Sequence, residues 1–339
     1  MKLQSRLVIT AFALAATLPA AFQTAPASAA EYTLKWGLVT RGDMQEKLGH
    51  KLAEVLPKAT NGRVEVKVFP GGQLGTPAAI LEGVQLGTIE GYAIPADFYA
   101  GADPRFGEFS IPFLFKSIDQ ANKVLGDPDF NKYVLTMAEN KGLVGVMLGV
   151  AAESFYFDPK KPLRHLDDFK GLKLRVNATQ AERARMAALG ATAVPMGLQE
   201  MITSLQNGVI DGTMSGISIF TNFNLNNLGK TLLQTHDTLL ISFACLSKAW
   251  LDKLPPDLRK TVVDTARSLQ PWARQTALDE MAELNKVWLS RGGEIINLPP
   301  DQEAELEKRL KPIGKQVTSG NKVLSDFYDL IQKTAAKYN

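Results

Sequence analysis

From about residue 33 onward the chain alternates two spacings of apolar residues. In short runs they recur at every second position, and in longer runs at every third or fourth, the marks of strands and of amphipathic helices. The pattern predicts a strand over 33–39, a helix over about 44–59, a strand over 63–69, a helix over about 76–86 and a strand over 88–95. A second set follows the same order: strand 172–176, helix about 179–189, strand 191–195, helix about 198–207, strand 209–215. In its second helix Leu198, Met201, Ile202 and Leu205 fall on one face.

A short internal repeat ties the two sets together. "VQLGTIEG" (84–91) and "LQNGVIDG" (205–212) share apolar-Gln-x-Gly-x-Ile-acid-Gly. In each, a helix ends at the first glycine, as helix C-termini prefer, and a strand follows. A βαβαβ order builds a right-handed parallel sheet. The expected fold is therefore α/β, with two similar lobes, each a mostly parallel sheet flanked by helices. Beyond the second set, "TLLISFACLSKAW" (238–250) reads as a strand and the start of a helix, and 257–292 as a long helical stretch broken at Pro271. Such a helix, at about 1.5 Å per residue, is long enough to span both lobes. Residues 300–338 read as charged helix. No low-complexity linker separates the parts, so crossing strands and helices join them. The expected division is lobe I over 31–151 plus about 241–275, and lobe II over 152–240 plus about 276–339.

Composition adds a compartment. The chain of 339 residues is 45% hydrophobic and 22% charged, enough for two cores. Its net charge of +3, with no run of five like charges, gives no support to nucleic acid as a partner. Residues 1–29 differ from the rest: Lys2 and Arg6, an apolar stretch from Leu7 to Phe22, then Ala27-Ser28-Ala29. That is the pattern of a cleaved secretory signal. A membrane anchor is the rival reading, but the apolar run is short and holds Thr10, Thr17 and Pro19. In a bacterium with an outer membrane the mature chain would be periplasmic. The single cysteine, Cys245, lies in an apolar run and reads as core, so no disulfide is expected.

Catalytic signals are poor. His50, His165 and His236 are scattered without metal-ligand spacing, and neither a Gly-x-Ser-x-Gly elbow nor a phosphate loop is present. No metal or cofactor is expected. "FPGGQLG" (69–75) reads as a turn, and Asp167, Asp168 and Asp211 as cap and loop residues. What remains is Arg175 in "GLKLRVNAT" (171–179). In open α/β sheets ligands bind beyond the carboxyl ends of strands, and Arg175 stands next to last in its strand, just before Asn177. A guanidinium in a sheet covered on both faces needs an anion or an open crevice. The alternative is a solvated strand residue, since Lys173 shares its face. The corresponding place in the first set is Thr40-Arg41. There Arg41 either faces the cleft opposite Arg175 or pairs with neighbouring Asp43.

The segments "FPGGQLG", "IPFLF" (111–115), "PLRHLDDFKGLKLRV" (162–176), "VPMGLQEM" (194–201), "VIDG" (209–212) and "LSKAWLDKLPPDL" (246–258) resemble the solute-binding proteins of tripartite ATP-independent periplasmic (TRAP) transporters. The resemblance runs in order through nearly all of the chain after the leader. It implies two lobes closing on a solute, and delivery to membrane permease subunits driven by an ion gradient. It also implies that Arg175 is the arginine that grips a substrate carboxylate. Departures are equally specific. Where sialic-acid-binding members carry a second arginine this chain has Phe155, and Ser215 stands for their asparagine and Leu198 for their aromatic ring. The expected solute is a small organic acid, a monocarboxylate with an apolar or aromatic body. One ring of Phe155, Tyr156 and Phe157 would line the cleft. Glu153 would bind a ligand amine if the solute is amino-acid-like. A dicarboxylate solute, and a secreted two-lobed enzyme acting on an organic acid, are the alternatives.

Overall fold

The structure, a computed structural model, describes residues 30–339; the leader expected over 1–29 lies outside the described residues. The first unit is β1 (Tyr32–Gly37), α1 (Met44–Ala59), β2 (Val64–Phe69), α2 (Pro77–Leu86) and β3 (Gly91–Pro95). After two 3-10 segments, Ala96–Gly101 and Pro104–Ser110, come α3 (Ile118–Gly126), α4 (Pro128–Thr136) and the long β4 (Leu143–Phe157). The second unit is β5 (Lys173–Val176), α5 (Gln180–Ala188), β6 (Thr192–Pro195), α6 (Leu198–Gln206) and β7 (Gly212–Gly216). The chain continues through α7 (Ile217–Asn222), β8 (Thr231–Ser247), α8 (Lys248–Leu251), α9 (Pro256–Ser268), α10 (Gln270–Ser290) and β9 (Glu294–Asn297). It closes with α11 (Pro300–Leu310), α12 (Ile313–Thr318) and α13 (Lys322–Ala336).

Both predicted βαβαβ units are present and parallel: β2-β1-β3 in one lobe, β7-β5-β6 in the other. Where the repeat led us to expect a sheet for each lobe, the structure joins them into one mixed nine-stranded sheet of order β2-β1-β3-β8-β4-β7-β5-β6, with β9 beside β8. The cause is the length of β4 and β8. They pair antiparallel with each other from Leu143↔Ser247 to Tyr156↔Leu233, meeting β3 at one end and β7 at the other. The expected lobe divisions at 151/152 and 240/241 fall inside these two strands.

The internal repeat has a physical reason. Gly87 and Gly208 follow α2 and α6 with φ of 77° and 70°, a left-handed turn that glycine enters without steric cost. The acidic residue of each copy then braces the first strand of its own unit: the Lys35 N–H donates to Glu90 at 2.8 Å and the Lys173 N–H to Asp211 at 2.8 Å. Helix starts are also built in. Asp43 caps α1 by accepting the N–H groups of Gln45 and Glu46, and Thr179 with Glu182 forms a capping box on α5. Pro271 sits in the first turn of α10, where its missing N–H costs nothing, so the helical stretch divides into α9 and α10 there. α10 packs on β4, α1 and α9 as well as on α7 and β9, bridging the lobes.

Candidate functional site

The carboxyl ends of both parallel units face one cavity of about 50 Å³ between the lobes. A buried water needs roughly 10–15 Å³ on the same scale, so the space suits a small solute. Lobe II supplies Arg175 and Asn177 from the end of β5, Leu198 from the first turn of α6, Met214 and Ser215 from β7, and Ser218 and Ile219 from α7. Lobe I supplies Val39 and Thr40 beyond β1, then Asp43, Met44 and Gln45 at the start of α1, and Pro95 and Phe98 after β3. Ala151, Ala152 and Leu240 of the crossing strands and Glu280 of α10 complete it.

Arg175 is 4% exposed. Its Nε donates to the Met196 carbonyl at 3.0 Å, and it forms no ion pair among the described residues. Burial pushes its pKa below the usual guanidinium range, against the pull of Glu182 and Asp97. Those two carboxylates are also buried. Glu182 accepts from the Asn177 N–H at 3.1 Å and from the Thr179 N–H and hydroxyl at 3.2 Å each. Asp97 Oδ2 accepts from Asn177 Nδ2 at 2.9 Å across the two lobes, while its Oδ1 has no partner. Burial and then the Glu182 charge raise the Asp97 pKa to about 7, opposed by the Asn177 bond and by Arg175 and Arg185. The guanidinium is thus held near anions of its own chain without being paired to one, and its fork is open to an anion from outside.

Lobe contacts continue around the cavity. Asn222 Nδ2 donates to the Arg41 carbonyl at 2.9 Å, and Gln199 lies against Gly72. The Ser110 and Thr179 hydroxyls meet at 2.8 Å, and Arg185 Nη2 donates to the Ser110 carbonyl at 3.2 Å.

Of the residues expected at the site, Arg175, Asn177, Ser215 and Leu198 come together in the cavity. Three do not. Phe155 is 1% exposed and packs away from it, as do Tyr156 and Phe157. β4 passes the cavity three residues earlier, at Ala151 and Ala152, and the aromatic ring that lines it is Phe98. Glu153 turns to another surface, where its Oε1 lies 2.9 Å from His236 Nδ1 and its Oε2 accepts from Gln234 at 2.6 Å. Arg41 is exposed; its guanidinium neither lines the cavity nor reaches Asp43, and packs over the Gly71 turn. Asp43 Oδ1 caps α1 instead of pairing with Arg41.

The sequence reasoning missed Asp43, Gln45, Phe98 and Glu280. The rule that put Arg175 at a strand end also points at the helix start that follows β1, which would have found the first two. Glu280 had no local signal, because the sequence of a long helix does not announce which residue passes a cleft. Among the described residues no group of three or more His, Cys, Asp or Glu side chains is placed to hold a metal ion, and no helix is long and apolar enough to cross a membrane.

Comparison with known proteins agrees with this geometry. Residues 38–321 match the family of bacterial extracellular solute-binding proteins, family 7. The C4-dicarboxylate-binding periplasmic protein of Rhodobacter capsulatus is 29% identical over 85% of this chain and 87% of its own. The 2,3-diketo-L-gulonate-binding periplasmic protein of Escherichia coli is 27% identical over 82% and 84%. Among solved structures, a TRAP periplasmic solute-binding protein from Sulfurospirillum deleyianum with bound succinate superimposes with a TM-score of 0.81 at 26% identity, covering 89% of this chain and 99% of the other.

Proposed function

The chain belongs to the family 7 extracellular solute-binding proteins, the solute-capturing components of TRAP transporters, and from that premise we propose that it captures a monocarboxylate in the periplasm and delivers it to the permease subunits of the membrane. The observation that carries this reading is the single cation of the cavity. Among the described residues lining it, Arg175 is the one basic side chain. It takes the carboxylate through a bidentate ion pair, the strong geometry for a guanidinium. The body of the solute then lies against Phe98, Leu198, Met214 and Leu240. A second carboxylate would find no cation and would be desolvated at a cost, which selects against dicarboxylates.

The leader over 1–29 directs export in this reading, and the chain acts as a carrier, not an enzyme. The relative that binds C4-dicarboxylates supports a dicarboxylate solute as the second reading. A thermal-shift screen decides between them. Monocarboxylates, 2-oxo and aromatic acids among them, stabilise the protein more than succinate, malate or sialic acid, and incubation yields no product. Strong stabilisation by succinate or malate with no response to any monocarboxylate would overturn the proposal.

A further inference from the structure

A monocarboxylate seated on Arg175 accounts for one wall of the cavity, and the role of the residues that lobe I and α10 contribute rests on that seating. Lobe I and α10 line the cavity with Asp43, Gln45 and Glu280. Their exposures are 5%, 3% and 8%. Asp43 Oδ1 is occupied by the backbone N–H groups of Gln45 and Glu46, at 3.1 and 3.2 Å. The side-chain carbonyl oxygen of Gln45 is buried without a partner. Glu280 Oε2 accepts from Lys47 at 2.8 Å, but that lysine is 45% exposed and is the one cation paired to either carboxyl. Among the described residues Glu280 thus has one half-solvated ammonium, and no cation is paired to Asp43.

The electrostatic consequence is visible in both acids. Burial pushes the Asp43 carboxyl above its usual range. It raises Glu280 to about 7, and the nearby Asp43 charge adds to that rise against the pull of Lys47. Such a pole is rich in acceptors and short of donors. Buried acceptors left without donors carry a standing desolvation cost, which a ligand bringing a donor removes.

We propose that Asp43, Gln45 and Glu280 form a second recognition pole, and that the solute carries, away from its carboxylate, a hydrogen-bond-donating group, either hydroxyl or ammonium. The solute is then oriented end to end, with its anion on lobe II and its donor on lobe I. Sites built to hydrogen-bond a substrate group discriminate strongly against analogues that lack it.

Calorimetry on matched acids tests this: butanoate, 4-hydroxybutanoate and 4-aminobutanoate, with the corresponding sets one and two carbons longer. At the chain length that fits, a donor-bearing acid binds at least about tenfold more tightly than the plain acid. Gln45→Met and Glu280→Gln reduce that advantage to less than about threefold, the difference between acids being what isolates the pole. Preference for the amino acid that is lost in Glu280→Gln identifies an ammonium; preference for the hydroxy acid identifies a hydroxyl. Arg175→Ala weakens all members alike. If it leaves them unchanged while the donor preference persists, the seating on Arg175 is wrong and the pole stands. The pole is overturned if plain acids bind as tightly at every length, or if the preference survives both pole variants. Absence of binding by all of these acids overturns both.

Discussion

The two lobes use the same βαβαβ unit and finish it in opposite ways. In lobe I the first helix, α1, buries Leu48, Leu52 and Leu56 against an apolar core, and offers the cavity an acid and an amide at its start. In lobe II the first helix, α5, buries Glu182 and Arg185, and the strand before it offers the cavity a guanidinium. Both lobes have apolar cores, but the first helix of lobe I packs through leucines while that of lobe II buries a glutamate and an arginine beside Ala181 and Met186. A repeated backbone fixes where a cleft lies and says little about which chemistry each side brings.

The largest expected effects are on stability, and the lobes differ in whether binding falls with it. Arg185 and Asp237 are both fully buried, 3.4 Å apart, and Arg185 Nη1 also donates to the Thr238 hydroxyl at 2.8 Å. Arg185→Met leaves Asp237 buried and unpaired, costing about 3–5 kcal/mol by analogy with broken buried pairs. Because Arg185 also holds Ser110 of lobe I, ligand affinity falls with it. Leu52→Ala in lobe I costs about 2–5 kcal/mol as a cavity, with affinity unchanged. Chemical denaturation and calorimetry on the two variants check this; equal effects on binding would erase the contrast.

The next effect is on pH dependence. Burial raises Asp97 to about 7, Glu280 to about 7 and Glu108 to about 8. Glu108 has neither oxygen partnered. Between the ordinary carboxylate range and those values the folded chain holds protons that the unfolded chain has released. Raising pH through that window therefore favours unfolding. The depressed carboxyls, such as Asp127 and Asp168, contribute stability already complete there and do not reverse the trend. The ligand-free protein melts several degrees higher at pH 6 than at pH 8.5, and Glu108→Gln flattens the slope. A melting temperature that rises with pH would contradict this.

Smaller effects belong to the cavity mouth. Asn222→Ala removes one neutral hydrogen bond between the lobes, at about 0.5–1.5 kcal/mol, and weakens binding several-fold through closure alone. Arg41→Ala, with its guanidinium outside the cavity, changes affinity least, within about twofold. A large loss in Arg41→Ala would put that side chain back at the ligand.

How far the sequence alone reached follows the same division. Periodicity located every strand and helix of the two units; α1 spans Met44–Ala59, as its spacing and Asp43 cap imply. The sheet's continuity was hidden because β4 is buried along nearly its whole length, so its side chains carry no inside–outside alternation. That same uniformity concealed which of its residues meets the cavity. β8 adds an irregularity that no period predicts: from Glu153↔Leu239 the pairing jumps to Phe155↔Gln234, with His236 at φ 53° between them. The jump sends Asp237 inward to Arg185 and leaves Glu153 with His236. Arg175 was within reach of sequence reasoning because its strand-end position left two readings and the family resemblance of its segment favoured the ligand-facing one; Glu280 was not, since only tertiary packing brings α10 to the cleft.

Calorimetric titration of Arg175→Ala and Arg175→Lys against the best monocarboxylate, with folding verified by melting, tests the seating of the anion. Alanine loses about 2–5 kcal/mol of binding, as for a truncated buried charge pair. Lysine shows a clear loss as well, because an ammonium cannot reproduce the planar fork. Unchanged affinity in both folded variants would contradict that seating.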